Sequence, residues 1–199
     1  MPWEPADREA YAYLLGWYLG DGYIGKPPRT YQLVITADSA YPLLIARCCE
    51  AIVAAVPGRV ANVNPHPTQN SVRIASCWTR WPDAFPQHGV GRKHERPIVL
   101  EDWQQAIVDE HSWAFLRGLI HSDGCRTTNT FKTKLPSGRV AEYSYTRYFF
   151  SNISADIRGL FCATCEQLGL RWTKSNARNI SISHRRSVAL LDEHVGPKA

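Results

Sequence analysis

No run of apolar residues in this 199-residue chain is long enough to cross a bilayer. The N-terminus, MPWEPADREAY, is acidic and proline-containing, and lacks the basic segment and apolar stretch of a secretory signal. Neither a membrane protein nor an exported one is expected, and a cytoplasmic location is. Paired metal-binding cysteines are missing too. Cys162 and Cys165 form one C-x-x-C within an apolar helical pattern, LFCATCEQLGL, with no second pair to complete a zinc set. Without export, these and Cys48-Cys49 in LLIARCCEAIV read as reduced core thiols. Charge of one sign is not extreme either. A net charge of +5 and a pI near 8.9 lean modestly toward a polyanionic partner. What the chain does have is material for a core: 44% hydrophobic and 11% aromatic content exclude global disorder.

One nine-residue pattern occurs twice. Residues 14–22 read LLGWYLGDG and residues 116–124 read LRGLIHSDG, 102 positions apart. In both, an apolar run carries small residues four apart (Gly16 and Gly20; Gly118 and Ser122) and stops at Asp21-Gly22 or Asp123-Gly124. Small residues at i and i+4 share one helix face and allow two backbones to approach closely. Asp-Gly stops a helix, with the glycine free to take a positive φ. Two such helices packed together would set Asp21 and Asp123 side by side at a common end. Carboxylates held that close repel unless a divalent cation binds between them.

This double motif resembles the LAGLIDADG family of homing endonucleases, in the form where one chain carries both copies. The likeness rests on Leu14, Gly16, Asp21 and Gly22, and on Leu116, Gly118, Leu119, Ile120, Asp123 and Gly124. The acid at motif position six is replaced by Leu19 and His121. The resemblance implies an α+β fold of two pseudo-symmetric αββαββα repeats, packed through the motif helices, whose strands form a DNA-binding saddle. It implies Mg²⁺, with Mn²⁺ as a substitute, held by Asp21 and Asp123 with backbone carbonyls such as those of Gly20 and Ser122. The implied activity is hydrolysis of both strands of duplex DNA across the minor groove, by a protein that mobilises its own gene, intron or intein. In that family a lysine after the third helix of each half reaches the active centre. Lys93 and Lys198 take that place here, with Arg92 and Arg96 as alternatives to Lys93. A polar residue ending the second strand often orders solvent; Asn152 fits, whereas the first half offers Ala37. That difference implies unequal cutting of the two strands, or weak activity.

Local patterns divide the chain into an N-terminal repeat over 1–99, a connecting helix over 100–111 and a C-terminal repeat over 112–199. Helices are expected over Arg8–Gly20 with Asp7 as cap, Pro42–Val56, Trp78–Phe85, Leu100–Asp109, Ser112–Ser122 with Ser112 as cap, Ala155–Leu168 and Arg186–His194. Strands are expected near Tyr31–Thr36, Arg59–Asn64, Ser71–Cys77, Arg171–Ser175 and Asn179–Ser183, with a long hairpin over Arg126–Lys134 and Arg139–Asn152 turning at Pro136-Ser137-Gly138. Two further echoes, RCCEAI with ATCEQL and VGRK with VGPK, are read as occupying matching places in the halves, which points to duplication. The seven tryptophans read as core residues, and His121 as either a packing group or part of the site.

Arg29, Gln32, Arg73, Arg80, Arg126, Lys132, Lys134, Arg139, Tyr143, Tyr145 and Arg147 lie on or beside expected strands. They are the candidate DNA contacts, since antiparallel ribbons fit the major groove. Their clustering at the basic hairpin tip KTKLPSGR is the informative part. The expected function is a monomeric, site-specific, metal-dependent endonuclease on double-stranded DNA. The alternatives are a non-cleaving DNA-binding transcriptional regulator of the WhiA type, which retains a degenerate form of the fold, and an intron-splicing maturase, for which RNA would be the partner.

Overall fold

Nine consecutive residues, Tyr11–Leu19, are buried along helix α1 (Arg8–Asp21). A helix apolar on all sides must be wrapped by the rest of the protein. Its partner is α5 (Ser112–Asp123), buried over Ala114–Leu116 and Gly118–Ser122. In the computed structural model, which describes residues 3–196 and 198, these two helices form the spine. They meet backbone to backbone. A Cβ on Gly118 would fall 2.1 Å from the Tyr13 carbonyl oxygen, and one on Gly16 would fall 2.6 Å from that of Phe115. Only glycine fits at either position.

Around the spine, the order helix, strand, strand, helix, strand, strand, helix occurs twice. After α1 come β1 (Gly22–Gly25), β2 (Gln32–Asp38), α2 (Pro42–Ala55), β3 (Asn62–Pro65), β4 (Ser71–Cys77) and α3 (Trp81–Ala84). A connecting helix, α4 (Asp102–Glu110), leads to α5, β5 (Gly124–Lys134), β6 (Val140–Ser151), α6 (Ala155–Gln167), β7 (Thr173–Lys174), β8 (Asn179–Ile182) and α7 (Arg185–His194). Each half builds one antiparallel sheet, in the orders β1-β2-β4-β3 and β5-β6-β8-β7. Leu33, Ile35, Val72 and Ile74 of the first sheet, and Tyr148, Phe150, Ile180 and Ile182 of the second, join the spine helices in one core. The alternate residues of each strand face outward. Among the described residues no helix is long and apolar enough to cross a membrane.

Local chemistry explains most boundaries. Asp7 caps α1 by accepting from the Ala10 amide at 2.8 Å, and Ser154 caps α6 by accepting from Ile157 at 3.4 Å. Pro42 opens α2, where its missing N–H has no partner to lose. The long hairpin turns at Gly138, whose φ of 82° is left-handed. Trp17 and Trp81 are fully enclosed, and the other five tryptophans pack against the core at its margins. Cys48 and Cys165 are buried, Cys49 and Cys162 half-buried, and all are free thiols.

Several expectations need correcting. Strand β1 was not anticipated; its four residues, Gly-Tyr-Ile-Gly, are too few to show an alternation. Ser112 does not cap α5. Position 111 holds the cap, and the Ser112 hydroxyl donates back to the Val108 and Asp109 carbonyls at 2.8 and 3.2 Å, closing α4 instead. Gly22 and Gly124 are extended, with φ of −100° and −102°, not left-handed. They are glycine for lack of room: a Cβ would stand 2.6 Å from Tyr18 Cα or 2.7 Å from the Ile120 oxygen. The RCCEAI echo is out of register, since Cys49 is the eighth residue after the cap Tyr41 and Cys165 the eleventh after the cap Ser154. Pro197 of the VGPK echo, like residues 1, 2 and 199 of the expected repeats, lies outside the described residues.

The spine gives a direct test. Gly118→Ala is expected to cost about 3 kcal/mol by forcing the helices apart, lowering the melting temperature by roughly 6–12 °C. Gly159→Ala, on the exposed face of α6 with nothing within 4 Å, should instead stabilise by up to about 1 kcal/mol. Urea and thermal denaturation of both variants would show the opposite signs.

Candidate active site and nucleic-acid surface

The spine geometry carries Asp21 and Asp123, the last residues of α1 and α5, to one place. A Cβ on Gly20 would lie 2.1 Å from Ser122 Oγ and 3.1 Å from Asp123 Oδ2, so the Asp123 carboxylate sits against the last turn of the other helix. Asp21 stands at the rim with part of its surface exposed and its carboxyl turned into the cleft, and Asp123 is half-buried. The protein packed around the Asp21 carboxyl, and then the neighbouring Asp123 charge, push its pKa up to about 6, while Lys93 and Lys198 oppose the shift. Burial also raises Asp123, moderated first by a hydrogen bond from Asn152 and then by the same two lysines.

Both expected lysines arrive here. Lys93 Nζ donates to the carbonyls of Tyr18, Leu19 and Gly20 at 2.6, 2.8 and 2.8 Å, and Lys198 Nζ donates to that of Ser122 at 2.9 Å. Each ammonium therefore sits on the final carbonyls of its own half's motif helix, that of Tyr18 also accepting from the Gly22 amide, where the helix dipole favours a cation. Burial lowers Lys93 to about 8 against the pull of both aspartates, and lowers Lys198 for the same reason. Arg96 is not an alternative to Lys93. It donates to the Gln87 and Gly91 carbonyls at 3.0 and 2.8 Å, and so shapes the loop that delivers Lys93.

Two cavities flank the helix ends. One, of about 300 Å³, is lined by Asp21, Ala37, Asp38, His121, Ser122 and Lys198. The other, of about 330 Å³, is lined by Gly20, Lys93, His94, Asp123, Asn152 and Arg178. Each pairs the carboxylate of one half with the lysine of the other. The ladders make Asn152 and Ala37 equivalent, because Phe150 pairs with Gly124 and Ile35 with Gly22, two residues earlier in each case. Asn152 Nδ2 donates to Asp123 Oδ2 at 2.6 Å, and its Oδ1 accepts from the Ser154 amide at 2.8 Å. Ala37 provides no such group. His121 is held at both ring nitrogens: its Nδ1 shares a hydrogen bond with Tyr13 OH at 2.9 Å, and Nε2 faces the Val195 carbonyl at 3.3 Å. Burial lowers its pKa to about 4, so it is neutral at physiological pH.

Asp38, His94 and Arg178 line the cavities without having been anticipated. Arg178 could have been noticed as the basic residue of the SNARN turn between two short strands. Asp38 and His94 carry no pattern of their own and arrive by the folding of β2 and of the 93–95 turn.

The donor set fits a hard divalent cation. Asp21, Asp123 and the Gly20 and Ser122 carbonyls offer oxygen only, and a carbonyl that accepts from a lysine keeps a second lone pair. Among the described residues no group of three or more His, Cys, Asp or Glu gathers. The site is thus no all-protein cage. It suits an ion such as Mg²⁺ that keeps waters and takes its remaining ligands from a phosphate.

Strand parity sorts the candidate DNA contacts. Tyr143, Tyr145 and Arg147 alternate on the outward face of the second sheet, and Gln32 and Arg73 lie on that of the first. Arg29 is exposed in the β1–β2 turn with φ of 71°. Lys134 and Arg139 are exposed at the long hairpin's tip. Three others are paired with acids of the protein itself. Arg126 lies on the inward side, donating to both carboxylate oxygens of Asp192 at 2.7 and 3.0 Å and so tying β5 to α7. Lys132 shares that parity and stands 3.5 Å from Glu142. Arg80 is not on a strand; it precedes α3, paired with Asp83 at 2.9 Å beside Trp78.

Comparison with known proteins bears on the fold. No protein-family model matches the sequence, and no curated protein matches it. Solved structures do. The full-length WhiA protein of Thermatoga maritima matches with a TM-score of 0.58 at 14% identity, over 96% of this chain and 56% of the WhiA chain. The I-LtrWI LAGLIDADG homing endonuclease bound to target DNA matches with a TM-score of 0.58 at 10% identity, over 95% of this chain and 82% of that one. The LAGLIDADG meganuclease I-AabMI bound to uncleaved DNA matches at 0.55 and 10%, over 92% and 83%. The fold is the LAGLIDADG fold: among the described residues, two four-stranded antiparallel sheets and seven helices, two of which form the spine.

The Asn152 bond makes a testable prediction. Asn152→Ala removes the donor that holds Asp123 down, so the Asp123 carboxyl should titrate at higher pH in the metal-free protein. Side-chain carboxyl NMR would follow the shift, and an unchanged Asp123 titration would refute the assignment.

Proposed function

We propose that this protein is a divalent-metal-dependent endonuclease that hydrolyses phosphodiester bonds of duplex DNA at specific sites. The observation that carries this reading is the pair of carboxylates, one per half, on abutting helix ends with an ammonium in each flanking cavity. A protein that only binds DNA has no use for two acids whose mutual repulsion opposes folding. Each half supplies one acid, so the proposed active form is a single chain. The outward strand faces and the net charge of +5 support a DNA partner.

In this reading Asp21, Asp123 and the Gly20 and Ser122 carbonyls hold Mg²⁺ or Mn²⁺, which polarises the scissile phosphate and acidifies a bound water. The chain's own residues prepare the place. Lys93 and Lys198 set positive charge at the floor of the cleft, where it offsets that of the phosphate. Asn152 fixes one oxygen of Asp123 and leaves the other free to ligate. Asp21 lacks that support, because Ala37 stands at the equivalent place. The two strands are therefore cut at unequal rates. A nicked intermediate should accumulate in a plasmid assay, and Ala37→Asn should reduce the bias.

The second reading is a non-cleaving DNA-binding regulator, favoured by the WhiA likeness, which equals that to the nuclease in TM-score. Incubation with a randomised duplex library and Mg²⁺ separates the two. An endonuclease cuts as the parent and binds without cutting as Asp21→Asn or Asp123→Asn. A regulator binds and never cuts in any form.

The carboxylate pair also predicts stability without DNA. Asp21 has a folded pKa near 6, above the ordinary value of 3.8, so its contribution to stability is fully present below pH 4 and is lost as pH rises through 6. Asp21→Asn should accordingly melt higher than the parent at pH 7.5, with a gain that vanishes below pH 4. Millimolar Mn²⁺ should raise the parent's melting temperature, and that of Asp21→Asn much less. Equal shifts in the two proteins would argue against metal at this site.

A further inference from the structure

The outward face of the second sheet carries a row of π surfaces that duplex recognition leaves unexplained. Along β6 the alternate residues Phe149, Arg147, Tyr145 and Tyr143 share this face, and Phe131 of β5 lies directly opposite Tyr143. The Arg147 guanidinium stands 4.3 Å from the centre of the Phe149 ring and 5.6 Å from that of Tyr145. Phe131 stacks on Tyr143 at 5.5 Å and meets Tyr145 edge-on at 6.1 Å. The five side chains form one continuous strip about 20 Å long. Its outer end is bare: Phe131, Tyr143 and Tyr145 are 47%, 46% and 38% exposed. Cross-strand pairing explains why the rings touch one another, but not why they stay open to solvent.

Reading base edges in a duplex groove calls for hydrogen-bonding groups. The first sheet's outward face has them, in Gln32, Asn62, Asn64 and Arg73. The strip combines such groups (Arg147, the Tyr143 and Tyr145 hydroxyls, and Asn129 opposite Tyr145) with open π faces, and in a duplex the bases' own faces are already stacked on each other. Unpaired bases have free faces, which stack on aromatic rings and on guanidinium planes. Lys134 and Arg139, exposed at the tip of the same hairpin, supply charge for the accompanying backbone. We propose that the β5–β6 arm is a stacking platform for unpaired nucleobases, so that the protein prefers a nucleic acid that is duplex along one arm and single-stranded along the other. This rests on the nucleic-acid reading above and adds the strandedness of the target.

Fluorescence anisotropy in EDTA tests it without cleavage, using a blunt duplex and forks of the same duplex with a single-stranded DNA or RNA extension. At least one fork should bind about ten-fold more tightly than the blunt duplex. Phe131→Leu should remove most of that advantage while leaving blunt-duplex affinity and the salt slope within about two-fold, and Tyr145→Leu should weaken the fork far more than the blunt duplex. Tyr145→Trp, which keeps a stacking face, should retain it. A 2-aminopurine in the extension should be quenched by the parent and not by Tyr145→Leu. The DNA and RNA forks identify which backbone accompanies the bases. Blunt-duplex binding with no fork advantage, or leucine variants that weaken fork and duplex equally with the circular dichroism unchanged, would overturn the platform and leave the duplex reading standing. Failure to bind any of the probes would overturn both.

Discussion

The two central helices of this protein meet backbone to backbone. Gly16 and Gly118 let α1 and α5 touch without side chains between them, and everything functional is a consequence of where those helices then end. Nothing electrostatic brings Asp21 and Asp123 together; their charges oppose it. The convergence is imposed by packing. Helices buried over most of their length cannot slide or separate without exposing apolar surface, and the core that encloses them is shared by both sheets. A carboxylate pair can thus be held in an unfavourable arrangement because the contact that holds it lies a full turn or more away. Gly22 and Gly124 belong to the same logic. They let each strand leave the helix end at once, so that β1 and β5 begin where the acids stand.

Repetition made this arrangement legible. One copy of the motif describes a tightly packed helix; two copies in one register describe two helices that need each other. The acids, the lysines and Asn152 were read from position within a repeated unit, and the chain brings all five to the helix ends. The misreadings have a common cause. Ser112 has the chemistry of an N-cap, but the corner between α4 and α5 turns its hydroxyl onto the preceding helix. The motif glycines have the chemistry of left-handed caps, yet steric exclusion by Tyr18 and Ile120 is what demands them. In both cases the residue type was informative and the partner was not, because the partner is set by tertiary approach. The hairpin shows the same limit differently. Its charges look like one cluster in sequence, and only the ladder register shows that Arg126 and Arg147 lie on opposite faces.

The two halves share a scaffold and differ in detail. Lys93 spans three carbonyls where Lys198 meets one, and Asn152 stands where the first half has Ala37. The outward faces diverge further, polar groups on the first sheet against an aromatic strip on the second. A homodimer would be obliged to repeat each feature across its axis. A chain that carries both halves is free to specialise each arm and each cavity, while the glycine contact at the spine keeps the two in register.

The cations of the site follow from the same constraint. With the acids fixed by packing, the cleft needs positive charge even in the absence of metal, and the chain supplies it from its loops. Both ammoniums bind carbonyls at the helix ends and not the carboxylates themselves. That choice matters. A direct ion pair would saturate the carboxylate oxygens and pull their pKa values down. Charge placed one bond further back opposes the repulsion, though not enough to cancel the rise in Asp21, and leaves its oxygens open toward the cleft. Positive charge near two acids, arranged so that it does not consume them, is what distinguishes this cluster from a structural salt bridge such as Arg126 with Asp192, where the charges meet oxygen to nitrogen.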